Sequence, residues 1–104
     1  MKIKTSELTG AALDWAVARC EGGVGENQLL GAWYAPSTDW AQGGPIIERE
    51  NICLWSEGYD WEAKIQIGSG QWLAEWDEYP LIAAMRCYVS SKLGDEVEIP
   101  EELK

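Results

Sequence analysis

The chain has 104 residues, 46% of them hydrophobic and 25% charged, which is typical of one globular domain spanning residues 1–104. Its 18 acidic and 8 basic side chains give a formal net charge of −10, which disfavours direct binding to nucleic acid or to an anionic membrane surface. No apolar run is long enough to span a bilayer, so we expect a cytoplasmic protein with no membrane partner.

The first elements are a short strand and a helix. Residues 2–4 can form the strand, and residues 9–21 the helix, which the glycines at 22 and 23 end. Ala12 and Trp15 widen the apolar surface, so we expect this helix to be buried on more than one side, against a sheet and a second chain. Apolar residues recur at helical spacing at Leu13, Ala16, Val17 and Cys20.

A strand and a loop rich in turn-forming residues follow. Residues 29–35 are strand-like, and Pro36 ends them. In the loop, Ser37 or Thr38 is predicted to cap a single helical turn through residue 42, which two glycines then break. Pro45 is predicted to begin a second short helix that ends near residue 51.

The next segment alternates apolar and polar residues with a period of two. Residues 52–55 are strand-like, and residues 59–76 predict an antiparallel hairpin with a connection at residues 68–70. On this alternation we interpret Trp61, Trp72 and Trp76 as sheet and core residues.

A second helix is predicted over residues 80–93, with Pro80 in its first turn and Gly94 just past its end. A last short strand contains Val97 and Ile99, and residues 101–104 form a frayed tail. The order of elements indicates an α+β fold in which two main helices pack on one face of an antiparallel sheet. The predicted inner face of the second helix comprises Leu81, Ile82, Met85, Tyr88 or Val89, and Leu93.

Three segments of the sequence together resemble a known family. They are MKIKTSELTGAALDWAVARCEG, YAPSTDWAQGGPIIEREN and PLIAAMRCYVSSKLGDEVEIPEEL, in this order, and the chain closely resembles the NinX proteins of lambdoid bacteriophages. The resemblance implies a phage-encoded accessory protein that acts in the cytoplasm of the infected bacterium. It implies no mechanism, because the family is one of unknown function.

Few residues suited to catalysis or metal binding are present. The chain has no histidine, and Cys20, Cys53 and Cys87 form no CxxC pair, so we expect reduced cysteines, no metal site and no cofactor. No pair of carboxylates lies in an apolar setting that would favour acid/base chemistry. We therefore expect a protein that is not an enzyme, and we interpret Arg19 and Arg86 as salt-bridge partners.

The loop gathers the chemistry of a ligand site. A tryptophan can stack on a base, small hydroxyls at a helix start can receive a phosphate, and an arginine can neutralise it. The alternative is that these residues are caps and turn formers, with the tryptophan filling the core. The predicted ligand-binding residues are Tyr34, Ser37, Thr38, Asp39, Trp40, Gly43, Gly44 and Arg49.

Two functions stay open at this point. The first is a binding module that sequesters a small anionic, nucleotide-like signal of bacterial immunity, which makes it a counter-defence protein. The second is an interaction factor that modulates a host or phage enzyme through an acidic surface bearing tryptophans, of which the chain has 7. Because a small core cannot hide so many tryptophans, we also expect a homo-oligomer.

Overall fold

The computed structural model describes residues 1–23 and 33–103 and confirms the α+β class. Two short 3₁₀ turns, Thr5–Glu7 and Glu101–Leu103, lie outside the main elements. Within the described residues, no helix is long and apolar enough to cross a membrane. The main elements are β1 (Lys2–Lys4), α1 (Gly10–Cys20), α2 (Trp40–Glu50), β2 (Cys53–Glu57), β3 (Asp60–Gly68), β4 (Gln71–Asp77), α3 (Pro80–Leu93) and β5 (Glu96–Glu98).

Within the described residues, the strands form two antiparallel sheets where the sequence predicted one. β1 pairs with β5, with Ile3 opposite Val97, and this small sheet joins the two ends of the chain. β2, β3 and β4 form the larger sheet in that order. The predicted hairpin is confirmed as β3 and β4, joined through Ser69 and Gly70, where Gly70 has the positive φ of +78° that a tight connection requires.

Helix α3 is the centre of the molecule. It packs on β3 and β4, and both α1 and α2 pack on α3. Among the described elements, α1 thus lies against α3 where the sequence predicted a sheet. Of the predicted inner face, Leu93 is exposed and Ile82 is half-buried, whereas the other members are buried. Residues on all sides of α3 are buried, namely Leu81, Ala83, Ala84, Met85, Arg86, Cys87, Tyr88 and Val89.

Helix α1 uses its apolar surface within the monomer. Its seven consecutive residues from Ala12 to Ala18 are buried, which confirms burial on more than one side without a second chain. The excess of apolar surface that led us to expect a partner for this helix is therefore absent.

The segment after the first helix differs from its prediction. The predicted strand at 29–35 falls largely on residues 24–32, which lie outside the described residues, and residues 33–35 are not in a strand. The two predicted short helices are wrong, since α2 continues through both glycines and Pro45. Asp39 caps its start and Ile46 is buried, so packing on α3 outweighs the low helix propensity of these residues.

Strand β4 turns the opposite face inward from the one predicted. Trp76 lies opposite Glu62 and Trp72 opposite Gln66, on the side of β3 that faces away from α3. Leu73 lies opposite the buried Ile65, so Leu73 belongs to the inner face. The interpretation of Trp72 and Trp76 as core residues was wrong, because their strand register and not their size decides their face.

The C-terminal tail also has more structure than predicted. Glu101–Leu103 forms a 3₁₀ turn, and Leu103 packs against the core. One apolar side chain thus fixes a segment that its charge pattern predicts to be frayed.

Candidate functional site

A cleft opens between the loop before α2 and the first turn of α3. Its volume of about 330 Å³ is at the lower end of the range for small-molecule sites. Its walls come from two segments that are distant in sequence: Ser37, Thr38, Trp40, Tyr79, Pro80, Leu81 and Ile82.

Two polar side chains hold the loop in place beside the cleft. The carboxylate of Asp39 accepts a hydrogen bond from the amide of Ala41 at 3.0 Å and so caps α2. The side-chain amide of Gln42 accepts from the amide of Ala35 and donates to the carbonyl of Trp33, each at 2.8 Å, and it also donates to Asp39 at 3.0 Å. The polarity of these two residues is thus used to fold the loop.

The two loop glycines differ in what surrounds them. A Cβ at Gly43 would lie 2.3 Å from the carbonyl oxygen of Pro36 and 2.6 Å from Leu81 Cδ1. At Gly44 the nearest atom would be Trp40 Cε3 at 4.0 Å, an ordinary contact. Gly43 therefore allows α2, the loop and α3 to meet at the base of the cleft, whereas Gly44 has no such steric role.

Ser37 joins the cleft wall to a buried carboxylate. Its amide donates to Asp14 Oδ1 at 2.8 Å, and burial raises the pKa of Asp14. The hydroxyl of Ser37 lies close enough to lower that pKa, as the amide also does. Yet this buried hydroxyl is not aligned for a hydrogen bond with any described residue. The wall thus contains a polar group with unused hydrogen-bonding capacity.

Helix α3 begins at the cleft, and the carboxylate of Asp77 accepts a hydrogen bond from the amide of Tyr79 at 3.0 Å just before it. Tyr79 occupies the N-cap position, and its side chain makes no capping hydrogen bond. The amides of Leu81 and Ile82 have no acceptor within the helix, because they belong to its first turn. The positive end of the helix dipole therefore meets a cleft wall that Trp40, 52% exposed, and the exposed Tyr79 complete.

The structure brings together only part of the predicted site. Ser37, Thr38 and Trp40 line the cleft, while Asp39 and Gly43 shape it from behind. Tyr34 is half-buried outside the lining, with burial raising its pKa and its ring edge-on to Trp33.

Arg49 is separated from the cleft. It lies nine residues beyond Trp40 on α2, about 13 Å along the helix axis. Its guanidinium donates to both carboxylate oxygens of Glu21, at 2.6 and 3.0 Å, and to Glu50 at 2.8 Å. These contacts raise the pKa of Arg49 and leave its charge compensated within the fold.

A polar cluster thus joins the ends of the three helices. Hydrogen bonds from Arg49 and Tyr88 hold the pKa of Glu21 below its usual range, against a smaller opposing effect of burial. The Tyr88 hydroxyl donates to Glu21, and burial together with that bond raises the pKa of Tyr88. Lys92 lies 3.8 Å from Glu50 at the edge of the cluster. The compensated charges indicate a structural role.

Arg86 is a structural residue of the same kind. It is buried, pairs with Asp77 at 2.9 Å and donates to the carbonyl oxygens of Leu8 and Trp76. This confirms its interpretation as a salt-bridge partner. Among residues 1–23 and 33–103, no group of three or more His, Cys, Asp or Glu side chains is placed to hold a metal ion.

The walls from α3 were missed by the sequence analysis. Nothing local to residues 79–82 indicates a site, because their role depends on the packing of α2 against α3. Pro80 at a helix start is explained by helix formation alone. In the sequence, only the loop residues indicated a ligand site.

A second exposed feature is the outer face of the larger sheet, which turns away from α3. We call it the tryptophan face. Trp55 is 65% exposed, Trp72 51% and Trp76 52%. The face consists of Cys53, Trp55, Glu62, Lys64, Gln66, Trp72, Ala74 and Trp76.

Comparisons with known proteins agree with the resemblance of the three sequence segments. A search of curated proteins found no match. A family profile described as "Bacteriophage P22, NinX" matches residues 4–92, which include all of α1, α2 and the larger sheet and nearly all of α3. The chain therefore belongs to the NinX family of bacteriophage proteins.

Proposed function

We propose that the protein is a non-enzymatic module that binds a small, planar, nucleotide-like anion in the cleft between the loop and α3. The observation that carries this proposal is the convergence of two features on one cleft. They are the exposed ring of Trp40 and the N-terminus of α3, whose N-cap side chain makes no capping hydrogen bond.

Each group suits one part of such a ligand. A base can stack on Trp40, whose ring needs no hydrogen bonding to do so. The amides of Leu81 and Ile82 can donate to a phosphate or carboxylate at the positive end of α3.

The charge of the chain shapes the expected binding. A net charge of −10 repels an anion, and Arg49 is held by Glu21 away from the cleft. The anion is therefore held by neutral donors, without the arginine contact of the sequence-based hypothesis. Because added salt screens the repulsion, we expect affinity for an anionic nucleotide to stay constant or rise as salt increases.

The phage family gives this binding a biological setting. A phage protein that binds a nucleotide signal of bacterial immunity and leaves it intact lowers its free concentration. Sequestration needs only a cleft and a sufficient amount of protein, and this is the counter-defence role we propose. It requires no catalytic residue.

Isothermal titration calorimetry tests the proposal, with cyclic dinucleotides, cyclic ADP-ribose-like signals and mononucleotides as titrants. We expect one class to bind, and Trp40→Ala to weaken it by about 1 to 3 kcal/mol. Trp33→Ala is the matched control, because Trp33 is exposed but does not line the cleft. Chromatography of the recovered ligand should show it unchanged, whereas a converted ligand would identify an enzyme.

Arg49→Ala separates the two versions of the site. From the sequence-based hypothesis we expect Arg49→Ala to lose as much affinity as Trp40→Ala. From the position of Arg49 in the structure we expect its affinity to stay within about twofold of the wild type, once the variant is shown to be folded. If no nucleotide gives a heat signal while one host protein co-purifies, the interaction-factor alternative replaces this proposal.

Duplex DNA provides a further control. The chain lacks the excess of positive charge that drives non-specific binding through counterion release. We expect no mobility shift with duplex DNA at micromolar protein and physiological salt. A shift that disappears with added salt would contradict this expectation.

A further inference from the structure

Six of the eight residues of the tryptophan face form two rows that run across the strands, and Gln66 and Trp72 lie beyond the second row. In the first row, Trp55 on β2 and Trp76 on β4 flank Glu62 on β3. In the second row, Cys53 and Ala74 flank Lys64 in the same way. One row therefore reads large, acidic, large, and its neighbour reads small, basic, small.

The two rows are complementary to each other in size and in charge. A two-fold axis can lie parallel to the sheet, run perpendicular to the strands and pass between the two rows. Rotation about this axis places the first row of one copy over the second row of the other. Each Trp55 then meets a Cys53, each Trp76 meets an Ala74 and each Glu62 meets a Lys64. Sheets that pack face to face in the aligned manner keep this correspondence to within a rotation of about 30°.

The charge of the face also favours a second copy. The chain carries −10 overall, yet Glu62 and Lys64 balance each other on this surface. Within one copy they are only loosely paired, with 3.9 Å between Lys64 Nζ and Glu62 Oε1, and half of the Lys64 side chain is exposed. An acidic chain can thus approach its copy here without placing like charges together.

The area is sufficient for a small specific interface. The exposed parts of Trp55 and Trp76, the two tryptophans in the rows, amount to about 230 to 290 Å² in each copy, taking roughly 200 to 250 Å² for a whole side chain. Two copies therefore bury roughly 500 Å² on these two rings. Trp72 at the edge and the other five residues of the face bring the total toward the ~1,200 Å² at which stable interfaces begin.

We propose that the tryptophan face is the interface of a symmetric homodimer in which the two rows of one copy pack on the complementary rows of the other. The face shares no residue with the lining of the cleft, so the two surfaces act independently. A dimer formed in this way carries two clefts, both outside the interface.

The first test measures mass by light scattering across a hundredfold range of concentration. We expect a dimer for the wild type and at least a tenfold weaker dimer for Trp55→Ala and for Trp76→Ala. Trp33→Ala is the control, since it removes an equally large exposed ring outside the face. Circular dichroism and thermal melts show whether each variant is folded.

The second test uses the charges. Lys64→Glu leaves two acidic side chains at the centre of the face, and Glu62→Lys leaves two basic ones, so each variant alone should be monomeric. Mixed together, the two variants should restore a dimer, because the acidic face of one then meets the basic face of the other. Such rescue requires that the charged centres of the two faces meet between copies, which a merely structural effect of either substitution would not produce.

The third readout is the thiol of Cys53. It is exposed, whereas Cys20 is half-buried and Cys87 is buried. Reaction of Cys53 with a thiol reagent should slow at least fivefold from dilute to concentrated protein, and it should stay fast in Lys64→Glu. A wild-type monomer over the whole range overturns the proposal, as does a dimer that survives Trp55→Ala or that the mixed variants fail to restore. Capture of a host protein by a monomeric wild type also overturns it.

Discussion

The loop before α2 and the tryptophan face both contain more polar or aromatic residues than an ordinary surface, but the fold uses them differently. In the loop, Asp39 and Gln42 satisfy amides and carbonyls of the segment itself, and Gly43 makes room for a backbone carbonyl. On the sheet, the rings of Trp55, Trp72 and Trp76 remain half or more exposed. A high content of polar or aromatic residues therefore does not by itself indicate a binding site. A better indication is a side chain that makes no contact needed for the fold.

The same comparison divides the loop itself. Thr38 and Trp40 are exposed and line the cleft, whereas Ser37 is buried beside Asp14. Asp39, Gln42 and Gly43 are explained by folding. The predicted ligand set thus contains residues with two kinds of role, and the substitutions below separate them.

The largest expected effect tests the support that both regions share. Helix α3 forms one wall of the cleft and packs on the inner face of the larger sheet. Its residue Met85 is fully buried. Met85→Asp should cost several kcal/mol of unfolding free energy, about 3 to 5, because it buries an unpaired charge. Urea denaturation measures the loss. Gln66→Asp, on the exposed side of β3, should change the free energy by less than about 1 kcal/mol at a concentration where the wild type is monomeric, and equal effects would place α3 outside the core.

The next largest effect is expected from a substitution that destabilises the packing of the loop and leaves the larger sheet unchanged. Gly43→Ala should cost about 1 to 3 kcal/mol, because its Cβ meets a backbone carbonyl that cannot yield cheaply. Gly44→Ala is the matched control in the same helix and should gain about 0.5 to 1 kcal/mol from helix propensity. Thermal melts of both variants give the comparison. Similar melting temperatures would contradict the close approach at Gly43.

A pH series should distinguish two carboxylates whose pKa values are shifted in opposite directions. Glu21 has a lowered pKa, so its contribution is present above its unfolded value of about 4.3 and is lost as pH falls through the folded value. Glu21→Gln should therefore cost about 0.5 to 1 kcal/mol at neutral pH, and this difference should shrink in acid.

Asp14 behaves in the opposite direction. Burial raises its pKa, so the stability linked to its proton is present below about pH 4 and is lost as pH rises through the folded value. Asp14→Asn should become more stable relative to the wild type as pH rises through that range. Urea titrations between pH 3 and pH 7 check both variants, and parallel curves would contradict both pKa shifts.

The smallest effects are expected at the exposed tryptophans. Trp40→Ala and Trp76→Ala should each change the unfolding free energy by less than about 1 kcal/mol, because surface side chains contribute little to the core. The unfolding of Trp76→Ala must be compared at a concentration where the wild type is monomeric, since association adds apparent stability. A larger loss in either variant would mean that the ring serves the fold.

Sequence patterns predicted the elements whose reason is local. The helix at 80–93 has Pro80 at its start and Gly94 at its end, and the structure places α3 at these bounds. The hairpin follows from a period of two interrupted by Gly70. Patterns failed at Pro45, where packing on α3 carries a helix through residues that would end it in isolation.

The candidate site was predictable only in part for the same reason. Ser37, Thr38 and Trp40 were identified from the loop, but the wall from Tyr79 to Ile82 is distant in sequence. Arg49 was placed in the site on proximity along the chain, whereas a helix carries it about 13 Å away to Glu21. Spacing in sequence gives no distance until the intervening structure is known.

The amino-acid sequence by itself determined the α+β class, the two helices at 9–21 and 80–93, the hairpin and the family, since these depend on composition, local periodicity and the order of residues. Tertiary structure decided the central position of α3, the continuous α2 and the outward direction of Trp72 and Trp76. It also decided that Arg49 stabilises the fold at a distance from the cleft. These features depend on which surfaces meet, and contacts between distant segments outweigh the weaker preferences of each segment alone.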